Sequence, residues 1–391
     1  MKKRFEFIDA TRALFAFQGV LFHALLPYRE DNASAIKSPE TLDGVSVVVS
    51  WLHSFRMQGF FLISGVLCWQ LLQREGATEY VRSRAIRLAL PFVTVFLTVN
   101  VAERAMQRRF NPHVPSEAGA FDVGHLWFTA YLFLFTLALP LVSWIVRRRR
   151  LEAISRWCSA VTLERQLPVI LALCAAATVL GARTSTQWWY STHLGFLQPV
   201  NLLLGASYFL VGAFVAGGNR VELLARRPSP AYWFGATFGW LAIGAIGDTL
   251  TGGSHSASAI LEHIYGIFVL RILFWAAGLM FGQLPRTELK SAVDATMTIY
   301  LLHHAIVVSG ALLMLSVPWH PGVEILLLLF FGLSLPFVFH ERVICRFPLA
   351  SLLLNGSRRA PQVPQAVPAA GPVLRTHQLT FRLSRRPKAT L

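Results

Sequence analysis

Ten apolar runs, each about as long as a bilayer is thick, constrain this chain more than any other feature. A helix needs about 20 mostly apolar residues to cross the hydrocarbon core. Because the runs are continuous rather than alternating, they predict transmembrane helices and exclude a strand barrel. The connections between them are short, so we expect one all-α bundle over residues 1–345. The runs cover residues 7–28, 45–72, 86–103, 125–146, 166–182, 196–217, 231–250, 259–281, 297–317 and 322–340.

The basic residues predict how the bundle is oriented. Of 36 Lys and Arg residues, 27 lie on the side of the N-terminus, six on the opposite side and three within the runs. Cytoplasmic loops carry such an excess of basic residues, so both termini are expected in the cytoplasm. The net charge of +16 therefore reflects membrane topology and does not indicate nucleic-acid binding.

The C-terminal segment, residues 346–391, differs in composition from the bundle. Residues 356–391 contain five prolines, seven Lys or Arg and no acidic residue. Such a segment cannot bury enough apolar surface to fold, so we expect a disordered cytoplasmic tail, with contact to anionic lipid as its possible role.

Standard cofactor motifs are missing from the sequence. The four cysteines form no CxxC pair, and the twelve histidines form no HEXXH motif, so no metal site is expected. The predicted topology places no cysteine on the oxidising side of the membrane, so no disulfide is expected. There is also no Walker sequence and no GxGxxG unit. We therefore expect no permanently bound cofactor.

The first apolar run carries ionisable groups on one face. Arg12 and His23 are 11 residues apart, just over three helical turns or about 16 Å. Asp9 lies on the same side, and the small residues Ala16 and Gly19 lie between. A charge facing lipid costs at least ~3 kcal/mol, so this stripe should face a polar path in the bundle. The alternative is an interfacial ion pair with a capping histidine.

The second run adds two polar residues at the level of His23. It runs inward, which places His53 and Arg56 in its outer third. A buried arginine needs a partner or a polar cavity. Further along, Ser64 and Gly65 are small enough to allow close helix packing.

Two other runs begin with polar residues on the outer side. His125 and Trp127 open the fourth run, and Glu262 opens the eighth. We predict that these residues join His53 on the acceptor side of a site, although Trp127 alone is also typical of the aromatic belt at a membrane interface.

The inner side carries its own candidates. Arg84 and Arg87 share a helix face at the cytoplasmic end of the third run, where paired guanidinium groups suit a phosphate-rich ligand. The alternative is that they only set topology. His303 and His304 are expected in the inner half of the ninth run. Because adjacent side chains point about 100° apart, at most one should face the path.

Five ordered motifs between residue 4 and about 340 resemble one known family. They are Arg-x10-His in the first run, SFRMQGFFLISG at 54–65, RAIR at 84–87, HLWF at 125–128 and YLLHH at 300–304. Together they resemble the acyltransferase 3 family of membrane O-acyltransferases, and within it a branch taken to add succinyl groups to periplasmic glucans.

The resemblance implies a function and roles for residues. It implies a location in a bacterial inner membrane, with cytoplasmic acyl-CoA as donor and a glycan hydroxyl as acceptor. It also implies His23 as catalytic residue, and Arg84 with Arg87 as the donor-binding pair. We expect Arg12 and Arg56 to assist catalysis, and His303 to lie on the donor side.

Other functions stay open at this point. A glycan or lipid transporter would need no acyl donor, and an O-acetylase would differ in the acyl group. A non-catalytic assembly partner would leave the polar stripe unexplained. The sequence does not indicate the acceptor, the oligomeric state, or whether an acyl-histidine forms.

Overall fold

The chain is described here by a computed structural model covering residues 6–31, 36–110, 123–148, 191–194, 196–218, 220–251, 255–281 and 286–357. Eleven α-helices are found in these residues, without a β-strand. They are α1 Glu6–Leu25, α2 Val45–Glu75, α3 Ala77–Leu97, α4 Val99–Phe110, α5 Trp127–Arg148, α6 Pro199–Gly217, α7 Pro230–Thr251, α8 His255–Phe281, α9 Arg286–Met314, α10 Pro321–Phe339 and α11 Pro348–Asn355.

The predicted fold class is confirmed. Within the described ranges, seven helical segments are long and apolar enough to cross a membrane, so the chain is an all-α, multi-pass membrane protein. The predicted run 166–182 lies outside the described residues, and the count of ten spans and the side of the termini stay predictions. Below, the end of the bundle that holds the start of α1 is called the inner end, because the charge distribution predicts it to be cytoplasmic.

Helix α1 is not one of the seven, and its position explains why. The polar residues Asp9, Arg12, Gln18 and His23 lower its hydropathy. The helix is nevertheless in the middle of the bundle, where it packs against α2, α8, α9 and α10. Polar groups that would be costly against lipid are covered by neighbouring helices in this position.

Glycines bring α2 and α6 into close contact. A Cβ atom at Gly65 would overlap the carbonyl oxygen of Phe209, and one at Gly212 would overlap that of Leu62. Without an aqueous hydrophobic effect, helices in a membrane gain from such close backbone approach. The predicted packing role of Gly65 is therefore confirmed.

The bundle extends past residue 345. A π-helical turn at His340–Ile344 leads into α11, which packs against α3 with Ser351 and Asn355 buried. Gly356 ends α11 with φ of +60° and packs directly on the backbone of Arg87. The first residues of the predicted disordered tail are therefore helical and brace α3, while residues 358–391 lie outside the description.

We predict that Gly65→Ala destabilises the protein by about 1–3 kcal/mol, because the added methyl group forces α2 and α6 apart. The matched control is Gly244→Ala, since a Cβ there meets nothing within 4 Å. The measurement is the apparent Tm of both purified variants in detergent. Equal Tm values would contradict close packing at Gly65.

Candidate active site

Four histidine rings form a cluster in the outer half of the bundle. His23 lies on α1, His125 on the 3₁₀ turn Gly124–Leu126 before α5, and His303 and His304 on α9. The ring of His23 lies 4.7 Å from that of His304 and 5.2 Å from that of His303, measured between centroids. The His125 ring stacks on His304 at 4.6 Å and 16°. We call these residues the histidine cluster.

Two expectations for α9 are wrong. His303 was predicted in the inner half of the bundle, on the donor side. The helix α9 begins at Arg286, eleven residues before the predicted apolar run, so His303 lies farther along the helix than that prediction assumed. His303 is thus 17 residues from the start of its helix, as His23 is from Glu6. The second wrong expectation is that only one of these two histidines faces the site. The rings of His303 and His304 both contact the ring of His23.

Glu103 of α4 joins the histidine cluster and was missed by the sequence analysis. Its side chain is buried, and its Oε1 lies 2.9 Å from Nδ1 of His304. That is an ion-pair distance, although the angle is not that of a hydrogen bond. The same oxygen accepts a hydrogen bond of 3.0 Å from Nε2 of Gln107. An acidic residue at the end of an apolar run was the available signal.

Several polar atoms of the cluster have no hydrogen-bond partner among the described residues. They are Nδ1 of His23, a ring nitrogen of His125, Nε2 of His303, Nδ1 of His304 and Oε2 of Glu103. A buried polar group left unpaired costs about 1–3 kcal/mol. His303 lies within hydrogen-bond distance of two backbone oxygens through Nδ1, which leaves its Nε2 as an acceptor. The cluster is therefore built to meet a further polar species.

Arg56 is a buried cation beside this cluster. Its guanidinium lies 4.0 Å above the ring of Phe22, and Nη1 donates a long hydrogen bond of 3.4 Å to the carbonyl oxygen of Gly19. Its side chain is 5% exposed, and no carboxylate of the described residues lies within 4.0 Å of it. A desolvated guanidinium in such surroundings favours an anionic partner.

The other predicted acceptor-side residues have different positions. His53 is exposed, and its ring stacks on that of Phe22 at 5.8 Å and 26°. Trp127 packs on Tyr131 and Phe61 in an aromatic layer. Glu262 is half-buried in α8, and nothing in the described part of the chain connects it to the histidine cluster.

Tyr300 is a second residue that the sequence analysis missed. Its hydroxyl donates a hydrogen bond of 2.8 Å to the backbone oxygen of His125. Its ring contacts that of His125 edge-on at 5.9 Å. These contacts fix the 3₁₀ turn that carries His125 against α9.

A second polar cluster lies at the inner end. Arg12 forms an ion pair of 3.5 Å with Asp9. Arg87 is close enough to Arg12, Arg84 and Asp294 to interact electrostatically with each. Arg87 is exposed, while Nε of Arg84 is buried without a hydrogen-bond partner among the described residues. The predicted donor pair and Arg12 are thus brought together, and we call this group the inner cluster.

One groove along α1, at a depth between the two clusters, is apolar. A groove of about 330 Å³ runs beside α1 between α9 and α10. Its lining is Ala13, Ala16, Phe17, Ala292, Ile299, Phe330, Leu333, Ser334 and Phe337. The groove is apolar because α9 and α10 present apolar side chains here, and the predicted polar path elsewhere along α1 stays a prediction. The alanines in the lining leave space in the groove, and the apolar surface suits an apolar chain better than water.

Comparison with known proteins identifies the family of the chain. The acyltransferase domain family Acyl_transf_3 matches residues 5–341. Proteins named glucans biosynthesis protein C, from Escherichia coli O1:K1 and from Escherichia coli K12, are each 22% identical over 320 residues, which cover 77% of this chain and 82% of theirs. No solved structure shows a significant match to the chain. The chain therefore belongs to the acyltransferase 3 family, as the motifs predicted, and is a multi-pass membrane acyltransferase.

Proposed function

We propose that this chain moves a succinyl or acetyl group from cytoplasmic acyl-CoA to hydroxyls of a periplasmic or cell-surface glycan. The observation that carries the proposal is that α1 belongs to both polar clusters, with Arg12 at the inner end and His23 in the outer half, about 16 Å apart. The name of the relatives, glucans biosynthesis protein C, supports a glucan as acceptor.

The inner cluster is the proposed donor site. Arg84 and Arg87 are three residues apart on α3, and the packing of Gly356 on Arg87 holds this part of the helix. Guanidinium groups bind phosphate oxygens with charge-assisted hydrogen bonds, so this pair would hold the CoA phosphates. The apolar groove beside Ala13 and Ala16 then offers room for the acyl arm on its way outward.

His23 is the proposed catalytic base. A neutral imidazole can take the proton of the acceptor hydroxyl while the oxygen attacks the thioester carbonyl. The carbon–sulfur bond then breaks, and the CoA thiolate leaves and receives a proton. In the alternative, the imidazole nitrogen attacks first, and the acyl-histidine passes its acyl group to the hydroxyl.

Arg56 has two possible tasks in this reaction. It can stabilise the oxyanion that develops on the thioester carbonyl, since a preorganised cation in a low-dielectric site stabilises such charge strongly. It can also bind the free carboxylate of a succinyl group. The second task favours succinyl over acetyl, because only succinyl carries that charge.

The alternative function is a glycan or lipid transporter. It would use the polar clusters for translocation and would leave the glycan unacylated. Mass spectrometry of cell-envelope glycans from a strain that lacks the gene separates the two functions. Deletion of an acyltransferase removes succinyl or acetyl groups from the glycan, whereas deletion of a transporter does not change the acylation reaction.

We predict that His23→Gln lowers acceptor acylation by about 10²-fold or more, because no base remains near the hydroxyl. The measurement is the acylated fraction of glycans in a deletion strain that expresses the variant. The control is His320→Ala, which changes an exposed histidine at the outer end of α10. Normal acylation by His23→Gln at equal expression would remove His23 from the mechanism.

We predict that the double variant Arg84→Ala, Arg87→Ala binds acyl-CoA at least about tenfold more weakly, because two charge-assisted hydrogen bonds are lost. The matched control is Arg82→Ala on the same helix, whose side chain is 64% exposed and faces Glu79. Binding is measured by calorimetry on purified protein. Unchanged affinity in the double variant would leave the pair as topology determinants only.

We predict opposite stability effects at two buried arginines. Arg56→Met should keep or raise the Tm and abolish activity, because it removes a desolvated charge that lacks a carboxylate partner. Arg271→Met should lower stability by about 2 kcal/mol or more, because Arg271 donates to the carbonyls of Leu224 at 2.9 Å and Arg226 at 2.7 Å. A lower Tm for Arg56→Met than for Arg271→Met would contradict the ligand-binding role.

A further inference from the structure

Three helical elements bring two imidazoles and one carboxylate to one place in the outer half of the bundle. Glu103 comes from α4, His125 from the turn before α5 and His304 from α9. One potential ligand atom of each lies within 4.8 Å of those of the other two. Glu103 and His125 are buried, and His304 is largely so. The three side chains are therefore close enough together to be considered as ligands of one ion.

The types of donor atom favour a transition-metal ion such as zinc. Two histidine nitrogens and one carboxylate oxygen are a set found in catalytic zinc sites, which keep a fourth position open for water or substrate. Calcium and magnesium prefer sites made only of oxygen atoms. We propose that Glu103, His125 and His304 bind a zinc ion.

Unpartnered atoms support this proposal independently of the distances. A ring nitrogen of His125, Nδ1 of His304 and Oε2 of Glu103 are buried without a hydrogen-bond partner in the described part of the chain. Each such atom costs about 1–3 kcal/mol unless something binds it. A zinc ion takes up a lone pair from each of the three side chains at once.

Neighbouring residues hydrogen-bond to two of the three proposed ligand residues, as is usual around metal ligands in proteins. Nε2 of Gln107 donates to Oε1 of Glu103 at 3.0 Å, which leaves Oε2 free for the ion. The hydroxyl of Tyr300 holds the backbone of His125 at 2.8 Å. Hydrogen bonds of this kind fix the orientation of a metal ligand and contribute to metal affinity.

Binding requires a small rearrangement. The rings of His125 and His304 lie stacked at 16°, so one ring must turn about its Cβ–Cγ bond to point a nitrogen at the ion. Tetrahedral zinc with bonds of about 2.1 Å places its ligand atoms about 3.4 Å apart. Ligand atoms that now lie up to 4.8 Å apart must therefore move closer by up to about 1.4 Å. A ring rotation and shifts of this size are within the reach of side-chain motion.

The position of the ion has a chemical consequence. The ring of His304 lies 4.7 Å from that of His23, so the open coordination position would be close to the proposed base. Glu103 offsets one positive charge of the ion, and an oxygen anion in the open position offsets another. Zinc there would polarise a carbonyl or lower the pKa of a bound hydroxyl.

The test is the metal content of the full chain, purified in detergent with an affinity tag that contains no histidine. We expect elemental mass spectrometry to find about one zinc ion per chain. If the purified protein has lost the ion, we expect it to take up about one zinc ion per chain when zinc chloride is added after chelation. Glu103→Gln and His304→Ala should bind zinc at least about tenfold more weakly. Cobalt loaded in place of zinc should give a visible spectrum of tetrahedral coordination.

The matched control is His303→Ala, which changes a buried histidine of the same cluster whose Nδ1 is bound to backbone oxygens. It should keep the zinc. Size-exclusion profiles establish that the variants are folded. Less than about a tenth of an ion per chain in the wild type after loading, or equal zinc binding by Glu103→Gln, would overturn the proposal. Because metal content is measured without donor or acceptor, this result is independent of the proposed acyl transfer.

Discussion

The high cost of exposing a charged side chain to lipid determines how this bundle is arranged. Helix α1 carries Asp9, Arg12 and His23 and cannot face the bilayer, so other helices surround it. The neighbours that cover its outer half bring their own polar groups, Arg56 from α2 and His303 with His304 from α9. One polar helix therefore organises both clusters.

The packing around α1 keeps these groups at fixed depths. Gly65 and Gly212 hold α2 against α6, and α2 in turn positions Arg56 over Phe22. At the inner end, α11 braces α3 beside Arg87 through Gly356. The residues proposed for donor binding and for catalysis thus lie on separately supported helices, with the apolar groove along α1 between them.

The sequence predicts those features that one helix encodes alone. Apolar length identified nine of the eleven described helices, but not the polar α4 or the eight-residue α11. The 11-residue spacing of Arg12 and His23 places them on one face of α1. The pair Arg84 and Arg87 follows from a spacing of three. Relations between distant helices were not readable in this way, because Glu103, Tyr300 and His304 meet His125 or His23 only through tertiary packing. The depth of His303 was misjudged because α9 extends beyond its apolar run.

The central claim is that acyl groups pass along α1 from the inner cluster to the histidine cluster. An electron cryomicroscopy structure of the chain with a non-hydrolysable acyl-CoA analogue tests it most directly. The account predicts CoA phosphates on Arg84 and Arg87, the acyl arm in the groove beside Ala16, and the acyl carbonyl within reach of His23. An analogue bound with its acyl group away from His23, or with its phosphates away from the inner cluster, would contradict it.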